Sequence, residues 1–227
     1  MHEVVSYDCQ SLYTSINIKR VLKFILDTIY NDTESFFAPK RTRSEKSLGE
    51  VFTKQIKTPP RDVLENFFMQ ILTKFSTFEA LNGFFRQTSG VSMGGKLSPS
   101  FANIFCNLFE LEIIENEMQN GTILAYYRYV DDIFVVLKKN NKNKLLEKLN
   151  DFDKNLGFTL ENMVNSRLNF LDTTVVINNN QINLEHYRKP SATDCLINYK
   201  TGVSPISYKI SAFVGELYRI HHSTTTE

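Results

Sequence analysis

Two adjacent aspartates, Asp131 and Asp132, stand between the apolar runs Leu124-Ala125-Tyr126-Tyr127 and Ile133-Phe134-Val135-Val136-Leu137. Aromatic and β-branched residues suit strands, so the pattern predicts a hairpin with both carboxylates at its tip. Unpaired charge is costly to bury, so the tip calls for a cation, and two magnesium ions fit best. Asp8 ends a second predicted strand, Val4-Val5-Ser6-Tyr7-Asp8. Adjacent antiparallel strands would bring the three carboxylates within a few Å of one another. Two magnesium ions ~3.5–4 Å apart, bridged by carboxylates, activate an attacking oxygen and stabilise a leaving one in phosphoryl transfer. Asp8 and Asp131 are the expected direct ligands, with Asp132 the third. Taken alone, Asp8 is equally a strand-end aspartate capping the following turn.

Two further features lie where such chemistry would use them. Tyr13 follows Asp8 by five positions, and its ring could pack under a nucleotide sugar and exclude a 2′-hydroxyl. It reads equally as a packing aromatic at a helix start. Gly94 and Gly95, in Gly90-Val91-Ser92-Met93-Gly94-Gly95, would let the backbone approach a base pair or phosphate closely.

The elements that must position these residues follow from periodicity and turn signals. A helix is predicted after the first strand, with Ile18, Val21, Leu22, Ile25 and Ile29 on one face. Residues 31–57 read as a polar, flexible insert. Thr58-Pro59 looks like an N-cap and first turn, followed by Leu64, Phe68, Ile71, Leu72 and Phe75 at helical spacing. Asn82-Gly83 is a two-residue hairpin turn signal within 77–88. Ser98 and Pro99 would cap and open a helix whose apolar face is Phe101, Ile104, Phe105, Leu108 and Leu111. After the aspartate hairpin a helix is predicted over 142–156, ended by Gly157, then a short strand at 158–160. A hairpin of 168–177 with 181–189 and a last helix opened by Ser204-Pro205, carrying Ile206, Ile210, Phe213, Val214 and Leu217, complete the chain. Antiparallel strands backed by helices make an α+β fold.

Size and composition bound the rest. The 227 residues, 42% hydrophobic and 22% charged, are enough for one large domain with a substantial core. Three distant cysteines, Cys9, Cys106 and Cys195, argue for a reducing, nuclear or cytoplasmic setting without a disulfide framework or zinc site. No apolar run approaches a membrane span, and the first residues are not a signal peptide. Net charge is only +1, but Pro39 to Arg61 holds seven Lys/Arg and His186 to His222 holds five. These segments could follow a phosphate backbone, or be ordinary solvated faces.

In combination and order, Asp8-x4-Tyr13, Ser92-Met93-Gly94-Gly95-x-Leu97-Ser98-Pro99 and Tyr129-Val130-Asp131-Asp132 resemble the palm motifs of reverse transcriptases. Gly90-Val91-Ser92-Met93-Gly94 followed by Leu97 to Phe105, Arg128 to Phe134, Asn169-Phe170-Leu171-Asp172 and Tyr187-Arg188-Lys189-Pro190 with Thr193-Asp194 resemble the Penelope-like retroelement branch. The resemblance implies a palm over 1–165, with an antiparallel sheet backed by helices, then a C-terminal primer-grip hairpin and the helical start of a thumb over 166–227. It implies an RNA-directed DNA polymerase acting on an RNA or DNA template, a DNA primer and a dNTP, with no membrane association. Asp8, Asp131 and Asp132 match the catalytic metal triad for two Mg2+ ions, and Tyr13 matches the sugar-discriminating aromatic. Met93 stands where many members have Gln and, with Gly94, would lie near the incoming nucleotide. Phe170 and Leu171 match the segment holding the primer end, and Arg188 and Lys189 would contact primer or template.

The family pattern is also departed from. The basic fingers that hold the triphosphate precede the first palm strand, and this chain opens seven residues before Asp8, as a fragment of a longer polymerase would. Where a lysine thought to protonate pyrophosphate is common, the chain offers Asn165 and Arg167. The alternatives are a non-catalytic nucleic-acid-binding remnant of such a polymerase, and a viral RNA-directed RNA polymerase or telomerase-like enzyme.

Overall fold

The structure is a computed structural model and describes residues 2–31, 37–39, 53–55, 59–74, 76–178, 181–191, 200, 202 and 205–225. In chain order, strand β1 (His2–Gln10) leads into helices α1 (Leu12–Ser15) and α2 (Ile18–Asn31). Short strands β2 (Phe37–Pro39) and β3 (Thr53–Gln55) precede helix α3 (Arg61–Lys74) and the hairpin β4 (Thr77–Ala80) and β5 (Gly83–Arg86). Helix α4 (Ser98–Phe109) continues through a π-helical turn (Glu110–Ile114) into α5 (Glu115–Gln119). Strands β6 (Ile123–Tyr129) and β7 (Asp132–Lys138), helix α6 (Lys142–Asp151) and strands β8 (Gly157–Asn162) to β9 (Arg167–Phe170) follow. Strands β10 (Thr173–Asn178) and β11 (Gln181–His186) and helix α7 (Ile206–His222) end the chain. The strands pair antiparallel throughout, giving the α+β fold expected.

Two compact units emerge, one of residues 1–10 with 112–227 and one of residues 11–111. In the first, a four-stranded sheet runs in the order β6-β7-β1-β8. One face is the core: Val5 pairs with Val135 and Tyr7 with Ile133, and all four are at most 1% exposed. Helix α6 packs on β8, burying Leu145 and Leu149. The buried Tyr7 hydroxyl donates to the Lys142 carbonyl at 2.9 Å, and burial, then Glu3, pushes its pKa up. Strands alternate faces with period 2, so Ser6, Asp8, Asp132 and Phe134 take the opposite face. A three-stranded sheet, β11-β10-β9, joins that face through Phe170, whose ring lies 5.4 Å from Phe134.

In the second unit, α2 buries Val21, Leu22 and Leu26 and packs on α3 and α4. The loop after β5 folds back onto α1, with the Val91 amide donating to the Tyr13 carbonyl at 2.8 Å. Gly90 makes that approach possible, since its φ is +66° and a Cβ there would lie 2.2 Å from the Tyr13 carbonyl oxygen.

Several boundaries depart from the sequence reading. The β4–β5 turn uses Leu81-Asn82, both at positive φ, instead of Asn82-Gly83, because that register pairs Phe78 with Phe85 as a stacked couple 5.9 Å apart. A one-residue slip would separate those rings. Ser98 is the first residue of α4, and Leu97 is the cap position. Leu111 is 39% exposed while Ile114 is buried: the π-helical turn accommodates an extra residue and rotates the apolar stripe. Helix α6 stops at Asp151, six residues before Gly157. There the Leu156 amide donates to the Asp153 carbonyl and the Asn155 amide to the Asp153 side chain. The segment expected as one strand over 168–177 breaks at Leu171, where φ is +53°. Helix α3 begins at Arg61, after Pro59-Pro60. Most of the insert expected over 31–57 lies outside the described residues, as do Thr58, Phe75 and Ser204.

Gly90→Ala should therefore cost about 2–4 kcal/mol, combining left-handed strain with a backbone clash, and lower the melting temperature by roughly 5–10 °C. Gly94 also has positive φ, at +87°, but no atom lies within 4 Å of an added Cβ. Gly94→Ala should cost only about 1 kcal/mol, and equal losses in thermal denaturation would contradict the close approach at Gly90.

Candidate active site

The site is a consequence of register. Asp8 on β1 sits directly opposite Asp132 on β7 and opposite Thr159 on β8, while Tyr129 faces Asp132 from β6. Residues directly opposite share a face, so Tyr129, Asp132, Asp8 and Thr159 form one row across all four strands. The β6–β7 connection is the two-residue turn Val130-Asp131. Only Val130 of the pair has positive φ, +56°, a position where glycine is usual and a β-branched residue is strained. Two hydrogen bonds hold the turn: Arg128 Nη1 donates to the Val130 carbonyl at 3.1 Å, and the Cys9 amide donates to the Asp131 carbonyl at 3.0 Å. The second bond places Asp131 beside Asp8.

Electrostatics records the crowding. Burial and the neighbouring Asp131 carboxylate raise the Asp8 pKa above the usual carboxylate value, and Lys189 opposes them. Asp132 is likewise raised, by burial, then Asp131 and Asp8, with Lys189 opposing and Glu161 adding to the rise. All three aspartates line one cavity of about 760 Å³ with Phe170, Leu171 and Lys189. Six residues singled out in the sequence thus meet on one wall system.

Four others do not. Arg188 is absent from that lining and its Nη1 lies 4.0 Å from Glu216 on α7. Tyr13, Met93 and Gly94 belong to the other unit. There Tyr13 is half-buried in α1, Met93 is 76% exposed, and Gly94 borders open space. Arg167 is ion-paired with Glu185, and Asn165 sits in a tight turn at φ +50°.

Sequence reasoning missed Glu161, which lines the cavity, and Gln10, whose Nε2 donates to the Asp8 carboxylate. Glu161 faces Ser6 across β8 and β1. Its only sequence signal is the two-residue spacing from Thr159, which becomes informative once the long-range pairing is known.

Among the described residues, no group of three or more His, Cys, Asp or Glu side chains forms a ready-made cation cage. The donor chemistry nonetheless suits a hard divalent ion. Oxygen ligands dominate, and the mutual repulsion that raises two of the carboxylates is what a cation would relieve.

Comparison with known proteins identifies the family and the fold. The chain matches the family model described as reverse transcriptase (RNA-dependent DNA polymerase) over residues 3–163. No curated protein matches it significantly. Telomerase from Candida albicans in complex with a TWJ fragment of telomeric RNA is similar in structure, at a TM-score of 0.62 and 13% identity over 82% of this chain and 31% of that one. Apo telomerase from Candida tropicalis is similar at a TM-score of 0.56 and 17% identity, over 98% of this chain and 37% of that one. The RNA-dependent RNA polymerase of BmCPV at the elongation state gives 0.52 and 13%, over 80% of this chain and 16% of that one. At such identities the likeness concerns the polymerase fold, and this chain spans little more than a third of those structures at most. The family model contains Asp8, Tyr13, the Ser92–Pro99 loop and the Asp131-Asp132 turn within its matched residues, and the chain belongs to the reverse transcriptase (RNA-dependent DNA polymerase) family.

Proposed function

We propose that this chain is the palm, over 1–165, and the primer-grip hairpin with the start of the thumb, over 166–227, of a Penelope-like RNA-directed DNA polymerase. The reaction is attack of a primer 3′-hydroxyl on the α-phosphate of a dNTP, directed by an RNA or DNA template. The observation that carries this reading is the register that sets Asp8 against Asp132, with Asp131 held to β1 by the Cys9 amide. Asp8, Asp131 and Asp132 would hold two Mg2+ ions. When bound, such ions lower the charge on the reacting phosphate and favour the alkoxide form of the attacking hydroxyl.

The chain's own residues position the reactants. Phe170 and Leu171, on the cavity wall, support the primer end, and Lys189 offers positive charge to its phosphates. Arg188, tied to Glu216, serves primer or template from outside the cavity. The Tyr13 ring packs against the sugar of the incoming nucleotide, and Met93 with Gly94 borders its base. The Penelope-like assignment is supported by Leu97 to Phe105, by Asn169 to Asp172 and by Tyr187 to Pro190. A second reading is a non-catalytic nucleic-acid-binding remnant of such a polymerase. It predicts salt-dependent RNA binding indifferent to Mg2+.

Primer extension on poly-rA/oligo-dT tests the proposal. Extension should require Mg2+, stop on chelation, and fall more than about 100-fold in Asp131→Ala, since a direct ligand should matter more than its supporting partners. Extension indifferent to Asp131→Ala would refute it, and Mg2+-independent RNA binding without extension would establish the second reading.

Tyr13→Ala should relax discrimination against ribonucleotides by about 10-fold or more, the scale of one steric contact in a pocket. Competing dTTP against UTP reads this directly. Unchanged discrimination would remove Tyr13 from the sugar site.

The raised carboxyl pKa values also set a pH dependence. A carboxyl whose folded pKa exceeds its unfolded value adds stability that is complete below the unfolded pKa and lost as pH rises through the folded one. The stabilising contribution of Asp8 and Asp132 in the metal-free protein should therefore fall as pH rises above about 4, and Asp132→Asn should raise the melting temperature at neutral pH. The gain should be only ~1–2 °C, because solvent screens the half-exposed site. It should vanish near pH 4 and reverse in saturating Mg2+. Thermal melts across pH, with and without Mg2+, provide the check.

A further inference from the structure

Asp8 and Gln10 lie two residues apart on β1, so both side chains leave the same face of the sheet. On β8, Asp8 faces Thr159 and Gln10 faces Gly157. The glutamine amide folds back along the strand. Its Nε2 donates to Asp8 Oδ2 and to Thr159 Oγ1, the latter at 3.2 Å. An ionised carboxylate only accepts, so the nitrogen end of the amide must face Asp8, and its two hydrogens serve these two acceptors.

We propose that Gln10, steadied by Thr159, is a positioning residue that orients the Asp8 carboxylate for divalent-cation binding. This rests on the reading of Asp8, Asp131 and Asp132 as cation ligands. A carboxylate at the half-exposed end of a strand rotates freely unless something holds it, and that freedom is lost when it coordinates an ion. A donor on Oδ2 removes the freedom beforehand and still leaves lone pairs on both oxygens for the ion. Hydrogen-bonding partners of this kind typically change metal affinity by about 10–100-fold. Gln10 and Thr159 are both exposed, so their replacement leaves the core untouched, and a purely structural role predicts no change in ion affinity.

The test is a Mn2+ titration of the full chain by calorimetry, without nucleotide, for the wild type, Gln10→Leu, Thr159→Val, the double variant and Asp131→Ala. Gln10→Leu should weaken Mn2+ binding about 10-fold while the melting temperature stays unchanged. Thr159→Val should weaken it less, and should add nothing in the Gln10→Leu background if the two act through one amide. Wild-type affinity in Gln10→Leu, with binding abolished in Asp131→Ala, would overturn the positioning role and leave the carboxylate site standing. Additive losses would overturn the shared amide. Wild-type affinity in Asp131→Ala would overturn the carboxylate site and this inference with it.

Discussion

Like charges directly opposite one another on antiparallel strands repel, and β1 and β7 hold Asp8 and Asp132 in that relation. What enforces it is the other face of the same strands. Val5 with Val135, and Tyr7 with Ile133, are buried pairs in the same register. Shifting β7 by one residue would turn Ile133, Val135 and Leu137 out of the core and bring Asp132 and Lys138 inward with Phe134 and Val136. The hydrophobic face thus fixes a pairing that the polar face, left to itself, would avoid. The carboxylates remain close because the energy of the buried rows exceeds their repulsion, which partial solvent exposure keeps modest.

Local devices at the hairpin tip serve the same end. A β-branched residue at positive φ, Val130, makes the connection as short as two residues, and the strain persists because the flanking strands and the Arg128 and Cys9 hydrogen bonds over-determine the turn. A longer, relaxed loop would let Asp131 drift from Asp8. The β9–β11 sheet supplies the facing wall: Phe170 packs on Phe134, the residue two places beyond Asp132, and Lys189 brings positive charge to a cavity that otherwise carries an excess of carboxylates. Helix α7 is arranged differently from an ordinary amphipathic helix. Arg219 reaches Asp172 at 3.5 Å, while Ile206, Ile210, Phe213, Val214 and Leu217 stay more than half exposed.

The aspartate hairpin was legible because aromatic and β-branched runs on both sides of Asp131-Asp132 leave few alternatives to strand, turn, strand. Helix α2 was legible from its 3.6-residue period, although Leu26, one of its buried residues, was overlooked beside Ile25. Signals failed where tertiary packing competed with local preference. Asn82-Gly83 is the better turn dipeptide, yet the Phe78–Phe85 pair moved the turn by one residue. Gly157 looked like a helix terminator, yet α6 ends where Asp153 offers its own backbone and side chain to the next amides. Leu111 fits an uninterrupted α-helical stripe, and the π-helical turn at 110–114 breaks the phase.

By itself the sequence determined which residues are candidates for chemistry and the local shape around each: three carboxylates at strand ends, a glycine loop before a helix, an aromatic after the first strand. These follow from short-range propensity, hydrophobic periodicity and motif order, which nearby residues encode. Only the tertiary structure decided the partners. That Asp8 lies against Asp132, that Glu161 shares their cavity, and that Thr159 accepts from the Gln10 amide that holds Asp8 depend on strands separated by more than a hundred residues. Their register is set by the burial of side chains on the opposite face, an energy that belongs to the assembled sheet and to no segment of the chain alone.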